Sequence, residues 1–393
     1  MSLPEITIES VLGTHQLRGP EEFTIGELLA ANRLPETLFQ PYALDGDDAS
    51  PVPLNTRIAD LDGVERLLIR AIRNTLLPTV TPEQHQTVNA ERGVGFRSIR
   101  PADSGLAEEL YAVIGYEQAR ELVTKQVLAF EQQHSLAAGG CIFGVSGGGD
   151  SNALAYGLRR ALPADRLTAF TLVFGPVFSE DAAVRATVLC QDLGISHRVL
   201  YPDDIAAFLK MSSTVDELYA DFSDIFSENA LHFFGTFLIL RTARRLAAES
   251  GFANLAFGYN REDVLAEVLF MLMNGHRPLA FPIRPMGDQR VVMPVWQVPK
   301  LLLDACHPQF SLENYRERDP YTTRQRSLGF FLAHALDSAY PSFGLSLLVG
   351  LSQVLEEIWG GLRYDEESDL FMTAQAESAS IESVRALLAR HFD

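Results

Sequence analysis

The apolar run Cys141-Ile142-Phe143-Gly144-Val145 leads straight into Ser146-Gly147-Gly148-Gly149-Asp150-Ser151, then into Ala153-Leu154-Ala155-Tyr156-Gly157-Leu158. A buried strand, a glycine turn and a helix start, in that order, constrain the fold more than any other feature of the chain. Consecutive glycines are expensive in conformational entropy, so a plain turn seldom uses three of them. They let backbone N–H groups approach an anion closely, and the helix behind them favours negative charge through its dipole. Ser146 and Ser151 add hydroxyl donors. Asp150 would repel a phosphate directly, so its useful role is to hold a divalent cation that bridges phosphate oxygens. No lysine follows the glycines, which separates the loop from Gly-x-x-x-x-Gly-Lys-[Ser/Thr], and its spacing differs from Gly-x-Gly-x-x-Gly.

Further strands are expected at 169–174, 197–200 and 255–257, with helices between them. That alternation predicts an α/β fold, a parallel sheet covered on both faces. Residues 1–75 read as a small α+β unit. Ile6-Thr7-Ile8 begins a strand, and Thr24 with Glu27 forms a capping box for a helix over Ile25 to Asn32. Extended stretches follow at Phe39 to Leu44 and Val52 to Leu54, around the turn-rich Asp45-Gly46-Asp47-Asp48, and Leu67 to Ile72 closes the unit. Residues 76–104, rich in Pro, Thr and Gly, read as a linker. The spacing of Leu106, Leu110, Val113, Leu122, Val123, Val127 and Phe130 predicts one or two amphipathic helices before residue 135. Residues 301–393 read as mostly helical, with Asp365-Glu366-Glu367-Ser368-Asp369 as a solvated surface segment.

Charge argues against one kind of partner. Acids outnumber bases 51 to 32, the net charge is −19, and Lys125, Lys210 and Lys300 are the only lysines. Such a chain is poorly suited to neutralising the phosphates of tRNA or other nucleic acid. No stretch reaches the ~20 apolar residues of a membrane span, and Met1-Ser2-Leu3-Pro4-Glu5 lacks the charge and apolar core of a signal peptide. The expectation is a cytoplasmic protein without membrane contact. Cys141, Cys190 and Cys306 show neither a disulfide framework nor metal-ligand spacing. The first two read as core, and Cys306 beside His307 as the candidate reactive thiol.

Ser-Gly-Gly-x-Asp-Ser after a buried strand resembles the PP-loop ATP pyrophosphatases, which cleave ATP between its α and β phosphates. Gly258-Tyr259-Asn260-Arg261-Glu262-Asp263, running on to Asn274-Gly275, resembles the Gly-His-Asn-x-Asp-Asp…Gly segment of the tRNA-thiolation and lysidine-forming branch. Pro282-Ile283-Arg284-Pro285-Met286, through Pro294-Val295 to Lys300, resembles the arginine/proline stretch and lysine of that branch. The likeness covers roughly Ala137 to Arg326, about half the chain. It implies a Rossmann-like (HUP/PP-loop) domain over residues 136–300, with ATP and Mg²⁺ as cofactors. By this resemblance Ser146, Gly147, Gly148, Gly149, Asp150 and Ser151 hold the β and γ phosphates, with Asp150 on the metal. Thr171 and Val173 fall where the family holds adenine, and Gly258 and Asn260 near the α-phosphate. Asp263 supports metal or loop, and Lys300 joins Asp150 and Ser151 in catalysis by neutralising phosphate charge. Arg241/Arg244/Arg245 and Arg316/Arg318/Arg324/Arg326 are the cationic clusters that could face an anionic substrate. Residues 1–75 resemble the β-grasp fold of ubiquitin-like sulfur carriers. A carrier ends in a free Gly-Gly, whereas this chain continues through Arg73-Asn74-Thr75. The implied role is a fused unit that docks a protein partner.

Several positions depart from the family pattern. Tyr259 replaces its histidine, Glu262 replaces the first aspartate of its acidic pair, and Gly149 stands where thiolation members carry lysine. Leu231-His232-Phe233-Phe234-Gly235 stands where they carry Cys-x-x-Cys. A thiolate nucleophile or cluster ligand must be cysteine. Three functions therefore stay open. One is an AMP-forming enzyme that activates a carbonyl for attack by an amine or externally delivered sulfur. Another is a tRNA or nucleobase sulfurtransferase, and the third an ATP-binding module without turnover. The acceptor is not legible.

Overall fold

The computed structural model describes residues 5–10, 13–17, 19–32, 39–45, 48–61, 64, 66–71, 94–101, 107–175, 178–226, 230–275 and 277–307. Towards the C-terminus it describes 328–330, 332–334, 336, 343–359, 363–366, 370–372 and 378–392. The chain divides into two compact units, each discontinuous in sequence. One comprises Met1–Arg120, Asn260–Asn274 and Gln297–Leu348; the other comprises Glu121–Tyr259, Gly275–Trp296 and Val349–Asp393.

The first unit opens with β1 (Glu5–Ser10), β2 (Gly13–Leu17), α1 (Ile25–Ala31), β3 (Phe39–Asp45), β4 (Asp48–Pro51) and β5 (Arg66–Ala71). These strands form one sheet in the order β2-β1-β5-β3-β4, with β1 and β5 parallel and the other pairs antiparallel. The capping box expected at Thr24 and Glu27 is present, closing two helix-start N–H groups reciprocally. Ile25, Leu28 and Leu29 of α1 pack with Ile6, Phe39, Leu67 and Ile69 into a small core. The fourth strand starts earlier than expected: Asp48–Pro51 pairs with β3, and Val52 adds one bond to Pro41 O just past the strand's end.

β6 (Val94–Pro101) and β7 (Ala107–Ile114) form an antiparallel hairpin. Residues 94–101 are thus not linker, and Leu110 and Val113 lie on a strand, not a helix. Their three-residue spacing suits one face of a helix, but pairing with β6 across the hairpin holds the segment extended.

In the second unit α2 (Tyr116–His134, beginning at the unit boundary) and α3 (Leu136–Gly139) lead to β8 (Cys141–Gly144). Next come α4 (Gly149–Ala161), β9 (Leu167–Leu172), α5 (Glu180–Leu193) and β10 (Ser196–Leu200). The helices α6 (Pro202–Leu209), α7 (Val215–Phe226) and α8 (Ala230–Ser250) then precede β11 (Asn254–Ala256). The chain returns to the first unit for α9 (Arg261–Met273), supplies β12 (Ile283–Met286) and β13 (Gln289–Val292) to the second, and returns again for α10 (Lys300–Cys306). It finishes with α11 (Phe343–Trp359), the short pair β14 (Arg363–Asp365) and β15 (Leu370–Met372), and α12 (Ser378–His391). Asp365, expected in a solvated run, belongs to β14 and is bonded by Arg385 at 2.6 Å. No described helix is long and apolar enough to cross a membrane.

The six-stranded sheet runs β10-β9-β8-β11-β13-β12, parallel except for the edge strand β12, with helices on both faces. Cys141, Ile142 and Phe143 of β8 are fully buried, as an apolar run in a sheet covered on both faces must be. From β8 the chain winds outward through β9 and β10; the return to β11 places the next strand on the other side of β8. Strand order therefore reverses between β8 and β11. In open parallel sheets that crevice, at the carboxyl ends of the strands, is where ligands bind.

Candidate functional site

The glycine loop leaves β8 at this reversal. Gly147 sits at φ +70°, a left-handed conformation open to glycine, and a side chain there would run into the Ala182 carbonyl of α5. Gly148 caps α4 in extended conformation without a side-chain cap, so the first-turn N–H groups carry the positive end of the helix. Asp150 lies in that first turn. Ser151 Oγ accepts from the Ser146 N–H at 3.0 Å, donates to Gly148 O at 3.2 Å, and lies 3.2 Å from Ser146 Oγ. Both serines therefore serve the loop's own shape. Arg185 of α5, which sequence reasoning missed, donates from Nε to Gly147 O at 3.3 Å. A bond spanning 38 positions leaves no local signal.

After β11, Gly258 lies against the loop: a Cβ there would sit 3.1 Å from the Asp150 carbonyl carbon and 3.3 Å from the Ser151 nitrogen. Thr171, on β9, donates its hydroxyl to Val145 O and meets His197 Nε2 at 2.8 Å. Burial holds the His197 imidazole below its ordinary pKa. Val173 N–H extends the sheet to Leu200 O at 2.9 Å. Thus the second unit brings together Ser146 to Ser151, Thr171, Val173 and Gly258 at the carboxyl edge of its sheet.

Asn260, Asp263 and Lys300 belong to the first unit. Asn260, almost fully buried, caps α9: its Oδ1 accepts from Asp263 N at 2.8 Å, while Asp263 Oδ2 accepts from Asn260 N at 3.2 Å. Glu262, the departure from the family's aspartate, accepts from the Lys300 N–H at 2.8 Å, at the start of α10. Lys300 Nζ reaches Asp304 Oδ1 at 2.8 Å, and Asp304 has no exposure, so this ammonium already balances a buried carboxylate.

Other candidates resolve differently. Arg241, Arg244 and Arg245 form the cluster that could face an anionic substrate. Arg241 lies over Phe392 at 4.1 Å, Arg244 over Tyr364 at 4.8 Å and Arg245 over Phe208 at 5.2 Å. These guanidiniums lie on aromatic faces that fold back from distant segments. The cluster Arg316/Arg318/Arg324/Arg326 lies outside the described residues. Tyr259, in place of the family histidine, lies 5.5 Å from the buried Arg284.

All three cysteines are buried, and burial pushes each thiol up to about 12. Cys306 donates to Leu302 O, while His307 accepts from Arg120. Burial, followed by the Arg120 charge, drives His307 down to about 3. Cys306 is therefore a core residue, since a thiol held at that value offers almost no thiolate at neutral pH. In the stretch matching the thiolation members' Cys-x-x-Cys, Phe234 stands at the second cysteine position, buried among Phe174, Tyr219 and Phe222, and its neighbour Phe233 lies against Phe226.

A parallel α/β sheet with a glycine loop at its point of reversal defines the class. Within it, the chain resembles the U34-tRNA thiolase NcsA of Methanococcus maripaludis, solved with its 4Fe-4S cluster. The two are 17% identical with a TM-score of 0.51, over 73% of this chain and 90% of that one. More distant likenesses are the NH3-dependent NAD synthetase of Campylobacter jejuni, 15% identical at a TM-score of 0.36 over 62% and 93% of the two chains, and the NMN synthetase of Francisella tularensis, 13% identical at 0.34 over 70% and 94%. No protein-family model matches the sequence, and no curated protein matches it.

Proposed function

We propose that this chain is a PP-loop ATP pyrophosphatase that transfers AMP to a carbonyl oxygen and releases pyrophosphate, preparing that carbon for attack by an amine or externally supplied sulfur. The observation that carries the reading is the Ser146–Ser151 loop, tied by its own serines and opening onto the start of α4 at the reversal of the sheet. The donor set fits a polyphosphate: uncapped helix-start N–H groups, and close approach at Gly147 and Gly258. Asp150 would hold Mg²⁺, which supplies charge neutralisation between phosphate oxygens. Val173 stands just beyond the end of β9, where adenine would lie. Asn260 and Asp263 shape the start of α9, and Lys300 acts through its pairing with Asp304 more than as a free counter-charge. Adenylation asks little covalent work of the protein; orientation and charge stabilisation suffice.

Sulfur transfer through an in-chain thiolate is disfavoured by the buried cysteines and by Leu231 and Phe234 at the positions of the thiolation members' cysteine pair. If sulfur is the nucleophile, it comes from outside. The N-terminal sheet, in the order β2-β1-β5-β3-β4 with α1 on one face, is read as a β-grasp unit, a dock for a protein partner.

Phosphorus NMR with ATP, Mg²⁺ and panels of carboxylate, amide and nucleobase acceptors tests the reading. AMP and pyrophosphate are expected with the right acceptor class. ADP and phosphate alone would overturn it, and tight ATP binding without turnover on any acceptor would favour a binding module.

A further inference from the structure

We propose that Thr171 and His197 are positioning residues of the glycine loop, acting through the peptide that joins Val145 to Ser146. The inference rests on the reading of the loop as a polyphosphate site and adds what holds that loop in its binding shape.

This peptide is bonded by side chains at both ends. Its carbonyl accepts from the Thr171 hydroxyl at 2.5 Å, and its N–H donates to Ser151 Oγ at 3.0 Å. Thr171 has one hydroxyl proton, committed to Val145 O, so its oxygen is the acceptor towards His197 Nε2 at 2.8 Å. That requires the His197 proton on Nε2 and leaves Nδ1 as an acceptor, 3.4 Å from Thr187 Oγ1. Thr187 donates its one hydroxyl proton to Ala183 O, one turn back on α5, at 2.8 Å, so it packs beside His197 without bonding it.

A line of hydrogen bonds thus runs from His197 on β10 through Thr171 on β9 to the last carbonyl before the loop, at the end of β8, crossing three adjacent strands at one edge of the sheet. Helix α5 meets the loop at Gly147, through the Ala182 carbonyl and Arg185 Nε. The entry peptide is thus referenced to β9 and β10, and the first glycine to α5. A peptide held at both ends cannot turn its carbonyl towards a bound anion, where that dipole would repel phosphate. Pre-setting dipoles before the ligand arrives is what makes such a site effective.

The family resemblance gives Thr171 a contact with adenine instead, and the two roles respond to different ligands. A base contact would be felt by adenosine and ATP alike. A loop-positioning role would be felt by ligands with a polyphosphate tail, and adenosine would not notice it.

The test is calorimetry of Mg-ATP, magnesium pyrophosphate and adenosine on wild type, Thr171→Val, Thr171→Ser, His197→Leu and His197→Gln, each first shown to melt cooperatively. Thr171→Val should weaken ATP and pyrophosphate about tenfold, as loss of one hydrogen bond to a fixed dipole would, and leave adenosine unchanged. Thr171→Ser should restore wild-type binding. His197→Leu should weaken the same two ligands by roughly threefold, with His197→Gln closer to wild type. Equal loss of adenosine and ATP in Thr171→Val, or no loss of either, would overturn the proposal. Hydrogen exchange at the Ser146 amide is read separately and needs no ligand. Faster exchange in Thr171→Val, but not in Thr171→Ser, supports the positioning role even if wild type binds no nucleotide and the ATP reading fails. Unchanged exchange in Thr171→Val sinks it.

Discussion

The loop from Val145 to Ser151 and the junction of α7 with α8 lie in the same unit but are held together differently. In the loop, neighbouring polar atoms bond one another, and α5 braces the result through Gly147 and Arg185. At the α7–α8 junction, Phe222, Phe226, Phe233, Phe234 and Phe237 meet ring to ring at 5.0 to 5.5 Å, and Phe222, Phe234 and Phe237 are buried. Hydrogen bonds are directional, so they fix where dipoles point; ring packing is only weakly directional and mainly excludes water. The first arrangement is suited to recognising charge. The second stabilises the fold.

The largest expected effect comes from emptying the aromatic side. Phe234→Ala should lower unfolding free energy by about 3–5 kcal/mol, the usual result of truncating a buried phenylalanine. Urea denaturation measures this, and the protein that remains folded should bind ATP as before. Impaired ATP binding by folded Phe234→Ala would break the separation between the two regions.

Gly147→Ala attacks the other side. A methyl at a left-handed φ, directed at the Ala182 carbonyl, should cost about 1–3 kcal/mol of stability and most of the ATP affinity. Thermal melting and calorimetry on the same sample would show whether binding falls further than stability alone explains. Asp150→Asn should then be gentler on the fold. It should remove the magnesium dependence of ATP binding and weaken Mg-ATP about tenfold. Retained magnesium dependence would exclude Asp150 as the metal anchor.

The smallest effect belongs to the first unit and acts as a control. His307 is held to about 3 in the fold, against an ordinary value of 6.5. Above pH 6.5 the ring is neutral whether folded or unfolded and has no influence. Between 6.5 and 3 the unfolded chain takes up the proton and the folded one does not, so stability falls as pH falls. From pH 7.5 to 5.5 this amounts to about 1 kcal/mol. His307→Gln should remove that part of the acid slope in denaturation curves, without changing ATP affinity at pH 7.5.

Much of the loop was legible in the sequence because its determinants are close together. Strand, glycines, serines and helix start fall within a dozen or so positions, and the Thr24–Glu27 and Asn260–Asp263 caps are three positions apart. The misreadings have a common cause. Leu110 and Val113 have a spacing that suits a helix, but they lie on β7 because β6 is there to pair with it. Arg241, Arg244 and Arg245 look like a cationic patch in a linear sequence, and in space each lies over an aromatic ring. Cys306 next to His307 suggested reactivity, but burial and Arg120 gave the pair separate partners.

By itself the sequence determined an α/β domain with a glycine loop at a helix start, because backbone conformation, capping and apolar periodicity are local properties. The tertiary structure alone decided that the loop's entry carbonyl meets Thr171, 26 positions away, and that Arg120 serves Cys306 O across 186. The physical reason is that a side chain's periodicity says which way it faces, while its hydrogen-bond partner depends on which strands and helices the folded chain sets beside it.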